Sequence, residues 1–120
     1  MTDAESAASP EPTRAETTRV VRNDDLGRYD ILVDGEQAGF TQFVDRDGQR
    51  IFPHTELDDR FAGRGLSSVL VAAALDDTRA AGQRVVAVCP LVARYVSKHA
   101  EFADLVDPVT PDIIDFLRIR

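Results

Sequence analysis

Several features that would mark other classes of protein are missing or scarce. The chain has 120 residues and one cysteine, Cys89. A single cysteine excludes an internal disulfide and a multi-thiolate zinc site, and it fits a reducing compartment. No stretch approaches the roughly 18 apolar residues of a membrane span, and the first residues lack an apolar signal, so we expect a cytoplasmic protein. Basic residues are also few. With 14 of them against 21 acidic residues, the formal charge is −7, which argues against nucleic acid and anionic membranes as partners.

What is present fits one modest domain behind a polar segment. Residues 1–18 contain no Val, Ile, Leu or aromatic residue and carry four acidic residues against one arginine. Such a segment cannot bury enough apolar surface to offset its ordering entropy, so we predict a disordered acidic tail. The predicted domain covers residues 19–110, and a short C-terminal helix is expected over 111–120.

The first half of the domain is predicted to be an antiparallel meander. Apolar and polar residues alternate over Tyr29–Val33, an Asp-Gly hairpin signal follows, and further strands are expected over 37–44 and 49–57. Pro53 lies inside the third strand. Because proline cannot donate a ladder hydrogen bond, it favours an edge or a bulge at this point.

The second half predicts a βαβ unit. Residues 65–81 carry apolar side chains at helical spacing, Gly82 ends the helix, and the β-branched run 84–88 is typical of a buried strand. A right-handed crossover makes the strands on either side of the helix parallel, so one mixed sheet is expected. The fold class is therefore α+β, in a three-layer arrangement, with a further helix over 91–99.

The junction between the third strand and the helix, RFAGRG at 60–65, is the strongest candidate for a ligand site. Gly63 and Gly65 let the backbone approach a ligand, the start of the helix favours negative charge, and Arg60 and Arg64 add two cations. These properties suit a diphosphate. The loop lacks the Gly-Lys-Ser/Thr of a P-loop and the third glycine of a dinucleotide fingerprint.

This junction also carries a resemblance to a known family. The pattern R-x-x-G-x-G-L at 60–66, between a meander and a helix, resembles the acetyl-CoA-binding motif of the GCN5-related (GNAT) N-acetyltransferase superfamily. Other segments resemble its small YjdJ-type branch: FPHTEL at 52–57, CPLV at 89–92, Tyr95, and HAEFADLV at 99–106. The resemblance covers about Tyr29 to Val106 and implies a minimal acyl-CoA N-acyltransferase fold.

The resemblance implies where acetyl-CoA binds. Its pantetheine would lie in a V-shaped gap between the strand ending near Leu57 and the strand ending near Val88, paired with the splayed strand edge. Its diphosphate would sit on the backbone N–H groups from Phe61 to Leu66. The candidate cofactor-binding residues are Leu57, Arg60, Phe61, Ala62, Gly63, Arg64, Gly65, Leu66, Cys89, Pro90, Tyr95 and Lys98.

Acetyl transfer to an amine needs a base for the amine and an acid for the departing thiolate. His54 and Glu56 are two residues apart, hence on one face of their strand, and either is a candidate base. The resemblance implies that Tyr95 donates the proton to the thiolate. Cys89 is a candidate covalent acceptor, although a lone cysteine is more often a small buried hydrophobe. His99 either touches a phosphate of CoA or caps its helix.

The sequence therefore predicts an acetyl-CoA-dependent N-acetyltransferase that works by direct transfer, with no metal. The acceptor is expected to be an amine on a small molecule or a protein, and its identity stays open. Two alternatives also remain: a CoA-binding module without turnover, and a protein-interaction module on the same fold. A monomer and a dimer are equally compatible with the sequence.

Overall fold

The structure is a computed structural model that describes residues 17–119. In chain order its elements are β1 (Thr18–Asn23), β2 (Arg28–Val33), β3 (Glu36–Gln42), β4 (Val44–Arg46), β5 (Gln49–Phe52), β6 (Thr55–Leu57), a 3-10 helix (Asp59–Phe61), α1 (Leu66–Ala80), β7 (Arg84–Ala87), α2 (Pro90–Lys98), a second 3-10 helix (Ala100–Leu105), β8 (Val106–Asp107) and α3 (Pro111–Ile119). None of the helices in this part of the chain is long and apolar enough to cross a membrane.

The strands form two four-stranded sheets. The first sheet has the order β1-β2-β3-β6 and is antiparallel throughout. The second has the order β4-β5-β7-β8, with β4 antiparallel to β5 and the other pairs parallel. The predicted α+β class, the antiparallel meander and the parallel βαβ pair are confirmed.

The prediction of one continuous sheet is wrong, because two of the predicted strands break and change sheet. The run 37–44 breaks at Phe43, whose N–H donates to the carbonyl of Gly27 at 2.9 Å instead of joining a ladder. The run 49–57 breaks after Phe52, where Pro53 has no N–H to donate. Each broken run therefore contributes one strand to each sheet.

The N-terminal boundary also differs from the prediction. Thr17 donates its N–H to Oδ1 of Asp34 at 2.8 Å and Thr18 begins β1, so the predicted tail over 1–18 extends too far. The rest of that tail, 1–16, lies outside the described residues. The strand β1 was not predicted because most of its side chains are exposed and show no apolar alternation. The short elements between α2 and α3 were not predicted either.

The helix predictions agree with the structure to within a few residues. The first helix is predicted over 65–81 and is Leu66–Ala80, and Gly82 follows it at φ +74°, as expected of a residue that terminates a helix. The second is predicted over 91–99 and is Pro90–Lys98. The third, predicted over 111–120, is Pro111–Ile119.

Two apolar clusters hold the layers together. We call the face of the sheets that α1 and α2 cover the inner face. The larger cluster lies between this face and the two helices, and its main members are Ile31, Phe52, Leu70, Leu75, Val85 and Val92. On the opposite, outer face, α3 packs Ile113 against Ile51 and Val86 of the second sheet. The second sheet thus lies between two helical layers, as the predicted three-layer arrangement requires.

A polar network centred on the buried side chains of Arg50 and Tyr29 joins both sheets to α1. The guanidinium of Arg50 donates to both carboxylate oxygens of Asp45, at 2.7 and 2.9 Å, and to the hydroxyl of Tyr29 at 2.6 Å. That hydroxyl donates to Asp77 on α1 at 2.7 Å. Burial, together with the hydrogen bond to Asp77, raises the pKa of Tyr29 to about 12. The phenol therefore stays protonated at neutral pH and keeps its role as donor.

Candidate functional site

The break at Pro53 opens a gap between two strands. Up to this point β5 pairs in parallel with β7, ending at Phe52 opposite Ala87, and the N–H of Cys89 closes the pair by donating to the carbonyl of Phe52 at 2.8 Å. Beyond Pro53 the chain turns towards β3 of the first sheet. The continuation, β6, therefore separates from β7, which confirms the predicted splaying of the strands near Leu57 and Val88.

One edge of β6 faces this gap with its backbone groups. The carbonyl of His54 and the N–H of Asp58 both bond to β3, at 2.8 and 2.7 Å. Backbone groups of alternate residues in a strand point to opposite edges, so those of Thr55 and Leu57 point into the gap. This edge can pair with an extended ligand that carries amide groups.

The position of β6 depends on Gly39 of β3, a residue that the sequence analysis did not single out. A Cβ at Gly39 would lie 2.5 Å from the carbonyl oxygen of Glu56 and 2.9 Å from the side chain of Leu57. Only glycine therefore lets β3 approach β6 this closely. A single glycine inside a strand pattern was the available signal.

A pocket of about 310 Å³ lies between the gap and the start of α1. Six of the predicted cofactor-binding residues line it together with Thr55, Ser67 and Leu91: Leu57, Phe61, Ala62, Gly63, Gly65 and Leu66. The strand edge and the glycine loop thus border one cavity.

The glycine loop offers fewer backbone donors than predicted. The N–H groups of Phe61 and Ala62 are used inside the 3-10 turn, where they bond to carbonyls of Asp58 and Asp59 at 3.0 Å. Within residues 17–119 the N–H groups of Gly63, Gly65 and Leu66 carry no such bond. Gly63 and Gly65 have φ values of +80° and +71°, a region that favours glycine. The donor set for an anion therefore begins at Gly63.

Both loop arginines lie against the ring of Phe61, with each guanidinium 5.2 Å from its centroid. The guanidinium of Arg60 lies 3.0 Å from Asp58 and 2.7 Å from Glu36, and these carboxylates raise the pKa of Arg60. Its charge is therefore already matched by two carboxylates. The guanidinium of Arg64 lies over the ring of Phe61, 5.2 Å from the centroid, on the loop itself.

His54 and Glu56 form a pair on the outer face of β6. Nε2 of His54 lies 2.7 Å from Oε2 of Glu56, and both side chains are exposed. A carboxylate only accepts, so this bond holds a proton on Nε2 and leaves Nδ1 as the proton acceptor of a neutral ring. Glu56 also borders an outer pocket of about 210 Å³ that includes Phe40 and Asp58.

Cys89 lies at the closed end of the gap. Its thiol donates to Oγ1 of Thr55 at 3.4 Å, and the residue is only 4% exposed. It precedes Pro90, which is exposed at the first position of α2. The thiol is therefore buried against the strand whose edge lines the gap.

Tyr95, Lys98 and His99 lie apart from these groups, in a second pocket of about 170 Å³ on α2. The ring of His99 stacks on that of Tyr95, with centroids 3.8 Å apart, and its Nδ1–H donates to the Tyr95 carbonyl at 2.8 Å. His99 thus caps the helix, one of its two predicted roles. Burial, with the charges of Glu101 and Asp76, raises the pKa of the Tyr95 phenol.

The donor groups suit a ligand with an anionic end and an extended amide-bearing arm. The anion would meet the N–H groups at the start of α1, and the arm would meet the free edge of β6. No group of three or more His, Cys, Asp or Glu side chains within residues 17–119 is arranged to hold a metal ion.

Residues 28–105 match the sequence model of the GCN5-related N-acetyltransferase family. The chain belongs to this family. A GCN5-like protein from Staphylococcus aureus, solved by NMR, has the same fold: its TM-score is 0.59 at 15% sequence identity, over 78% of this chain and 91% of that one. No curated protein sequence matches significantly. Assignment to the narrower YjdJ-type branch stays a prediction.

Proposed function

We propose that this GCN5-related N-acetyltransferase transfers an acetyl group from acetyl-CoA directly to an amine. The observation that carries the proposal is the gap beside β6, because a phosphate-type loop borders this gap and a histidine–carboxylate pair lies on the strand that lines it. The free edge at Thr55 and Leu57 faces the gap, and the side chains of His54 and Glu56 project from the outer face of the same strand. A cofactor along the edge and an acceptor on the outer face would thus meet at β6.

The residues present fit acetyl-CoA. Thr55 and Leu57 would pair with the amides of pantetheine, and the N–H groups of Gly63, Gly65 and Leu66 would hold the diphosphate. When bound, acetyl-CoA supplies an acetyl group activated as a thioester. Arg60 would have to exchange one of its carboxylate partners to contact a phosphate.

The proton transfers are assigned to His54 and Tyr95. An amine must lose its proton to act as a nucleophile, and Nδ1 of His54 would take it, while Glu56 holds the Nε2 proton and stabilises the resulting imidazolium. Tyr95 would donate to the departing thiolate. Its raised pKa keeps the phenol protonated at neutral pH, which a proton donor requires.

The acceptor is proposed to be a cationic amine. The carboxylate of Glu56 lines the outer pocket, and the formal charge of the chain is −7. Carboxylates attract alkylammonium groups. Polyamines and lysine side chains of proteins belong to this class.

Calorimetric titration with acetyl-CoA tests the cofactor, and the chain provides a matched pair of glycines. Gly63 in the loop and Gly48 in the β4–β5 turn have nearly equal φ values of +80° and +78°, and a Cβ at either would meet nothing within 4 Å. Changing either to alanine should cost a similar backbone strain of about 1 kcal/mol. Only Gly63→Ala should weaken acetyl-CoA binding, by about tenfold or more, because it disturbs donors to the diphosphate.

Release of the CoA thiol in the presence of spermidine or a lysine-containing peptide then tests the transfer. A folded wild-type chain that does not bind acetyl-CoA would refute the proposal. Equal weakening by the two glycine variants would remove the loop from the site. Binding with no thiol release for any amine tested would favour a CoA-binding module instead.

A further inference from the structure

The first sheet ends in β6 on one side and in β1 on the other. The edge of β6 faces the gap described above, so a protein strand paired there would close the gap. At the opposite end, β1 pairs with β2 over the six residues Thr18–Asn23 without a register shift. An edge strand of this length, with no proline and no bulge, can pair with a further strand. The edge of β1 is therefore where another chain can join this sheet.

The backbone groups at this edge are those of Thr18, Val20 and Arg22. The N–H of Asp34 donates to the carbonyl of Thr17 at 2.8 Å, so the backbone groups of Thr17 point towards β2. Successive residues of a strand point their backbone groups to opposite edges. Those of Thr18, Val20 and Arg22 therefore point away from β2, with Val20 at the centre of the set.

A second copy of β1 fits this edge in antiparallel orientation. Residues whose groups face the interface must meet one another, so Val20 can lie opposite Val20 of the second copy on a two-fold axis. Thr18 then pairs with Arg22 on both sides of the axis, which gives about six hydrogen bonds. Of the two neighbouring registers, one opposes Arg19 to itself and the other pairs Thr18 with the turn residue Asp24. The register centred on Val20 avoids both faults.

This register also brings opposite charges together. Arg19 is exposed on the outer face and forms no ion pair with another residue of the range 17–119. Val21, on the same face, lines a pocket of about 370 Å³ with Asp24, Asp25 and Asp30, which we call the hairpin pocket. In the register centred on Val20, Arg19 lies opposite Val21 of the second copy, beside its hairpin pocket. The two-fold axis repeats this match on the other side, so the edge is complementary in charge to itself.

We propose that the chain forms a two-fold symmetric dimer through β1. The pairing joins the two four-stranded first sheets into one continuous antiparallel sheet. β6 lies at the far end of each sheet, so both gaps stay open, and both His54–Glu56 pairs lie on one shared outer face. This inference does not rest on the proposed use of acetyl-CoA.

Analytical ultracentrifugation of the full chain tests the dimer. The wild-type protein should sediment at twice the 13.2 kDa mass of one chain at micromolar concentration. Arg19→Glu places a carboxylate beside the acidic hairpin pocket of the second copy and should raise the dissociation constant by about tenfold or more. Asp25→Arg should act in the same way, because it places a cation beside Arg19. The double variant Arg19→Glu/Asp25→Arg exchanges the two charges and should restore the dimer.

Two further variants locate the interface. Arg118→Glu makes the same charge change at an exposed position on α3 and should leave the dimer intact. Val20→Pro removes an N–H that points away from β2, so the circular dichroism spectrum should stay that of the wild type while the dimer is lost.

The remaining outcomes contradict the proposal. A folded wild-type chain that stays monomeric would overturn it, and dimerisation only after removal of residues 1–16 would assign the edge to that segment instead. A dimer that persists in both Arg19→Glu and Val20→Pro would place the interface away from β1. Failure of the double variant to restore the dimer would overturn the register centred on Val20.

Discussion

The two halves of the run 49–57 differ in how their edges are paired and in how deeply their residues are buried. In β5 both edges are paired, to β4 and β7, and Arg50, Ile51 and Phe52 are buried. In β6 only one edge is paired, to β3, and none of its three residues is buried. The first half supports the core of the second sheet, and the second half offers its backbone and side chains to a ligand.

The difference follows from where each half can find hydrogen-bond partners. Pro53 ends the pairing of β5 with β7, and the chain then turns towards β3. Gly39 of β3 allows β6 to approach closely. A strand with one free edge has unsatisfied backbone groups that a ligand can pair with. Substitutions in β5 should therefore change stability, and substitutions in β6 should change catalysis.

The largest effect is expected for Arg50→Met in β5. It leaves the buried hydroxyl of Tyr29 and the partly exposed carboxylate of Asp45 without their guanidinium partner, and loss of these hydrogen bonds to a charged group costs about 3 kcal/mol of unfolding free energy. Urea denaturation measures this loss. The control Arg84→Gln removes an exposed arginine that lies 2.6 Å from Asp107 and should cost less than about 1 kcal/mol.

The Arg50 result can contradict the comparison in two ways. A cost no larger than that of Arg84→Gln would mean that the buried network adds little to the stability of the fold. Weakened acetyl-CoA binding by the folded Arg50→Met protein, at a temperature well below its unfolding transition, would mean that β5 also serves the ligand.

The next effect is expected in β6, from His54→Gln and Glu56→Gln. Loss of a general base lowers kcat by about a hundredfold, so His54→Gln should do this without changing the affinity for acetyl-CoA. Glu56→Gln still accepts the Nε2 proton but cannot stabilise the imidazolium as an anion does, so its loss should be smaller.

Urea denaturation of both variants provides the control for folding. Because both side chains are exposed, their unfolding free energies should stay close to that of the wild type. An unchanged kcat in His54→Gln would remove His54 from the reaction and leave Glu56 or a water-mediated route as the base.

The sequence predicted much of this arrangement, and the failures have physical reasons. Periodicity gave the helices and the βαβ unit, and Pro53 was recognised as an interruption. Sequence alone did not separate the two sheets, because no glycine or proline between Phe40 and Arg46 marks the break at Phe43. The sequence also did not identify Gly39. This glycine matters because it contacts Glu56 of β6, which lies 17 residues further along the chain.

The site was predicted in outline and corrected in detail. The glycines of the loop, Leu57 and the pair His54–Glu56 are where the sequence suggested. The carboxylates that hold Arg60, and the use of the Phe61 and Ala62 N–H groups inside a turn, depend on the folded loop. The residue pattern of the loop does not indicate which groups will pair with its side chains and N–H groups, because this depends on the folded arrangement.

The smallest effect is expected for Cys89→Ala, at the junction of the two halves. The backbone of Cys89 bonds to Phe52 of β5, and its thiol bonds to Thr55 of β6. Direct transfer needs only the packing of this thiol, so kcat should fall by less than about fivefold, whereas loss of a covalent nucleophile costs several orders of magnitude. Steady-state kinetics and mass spectrometry of the wild type after acetyl-CoA alone provide the measurement. An acetylated Cys89 together with an inactive variant would contradict direct transfer. The acetyl group would then pass first to the thiol of Cys89 and from there to the amine.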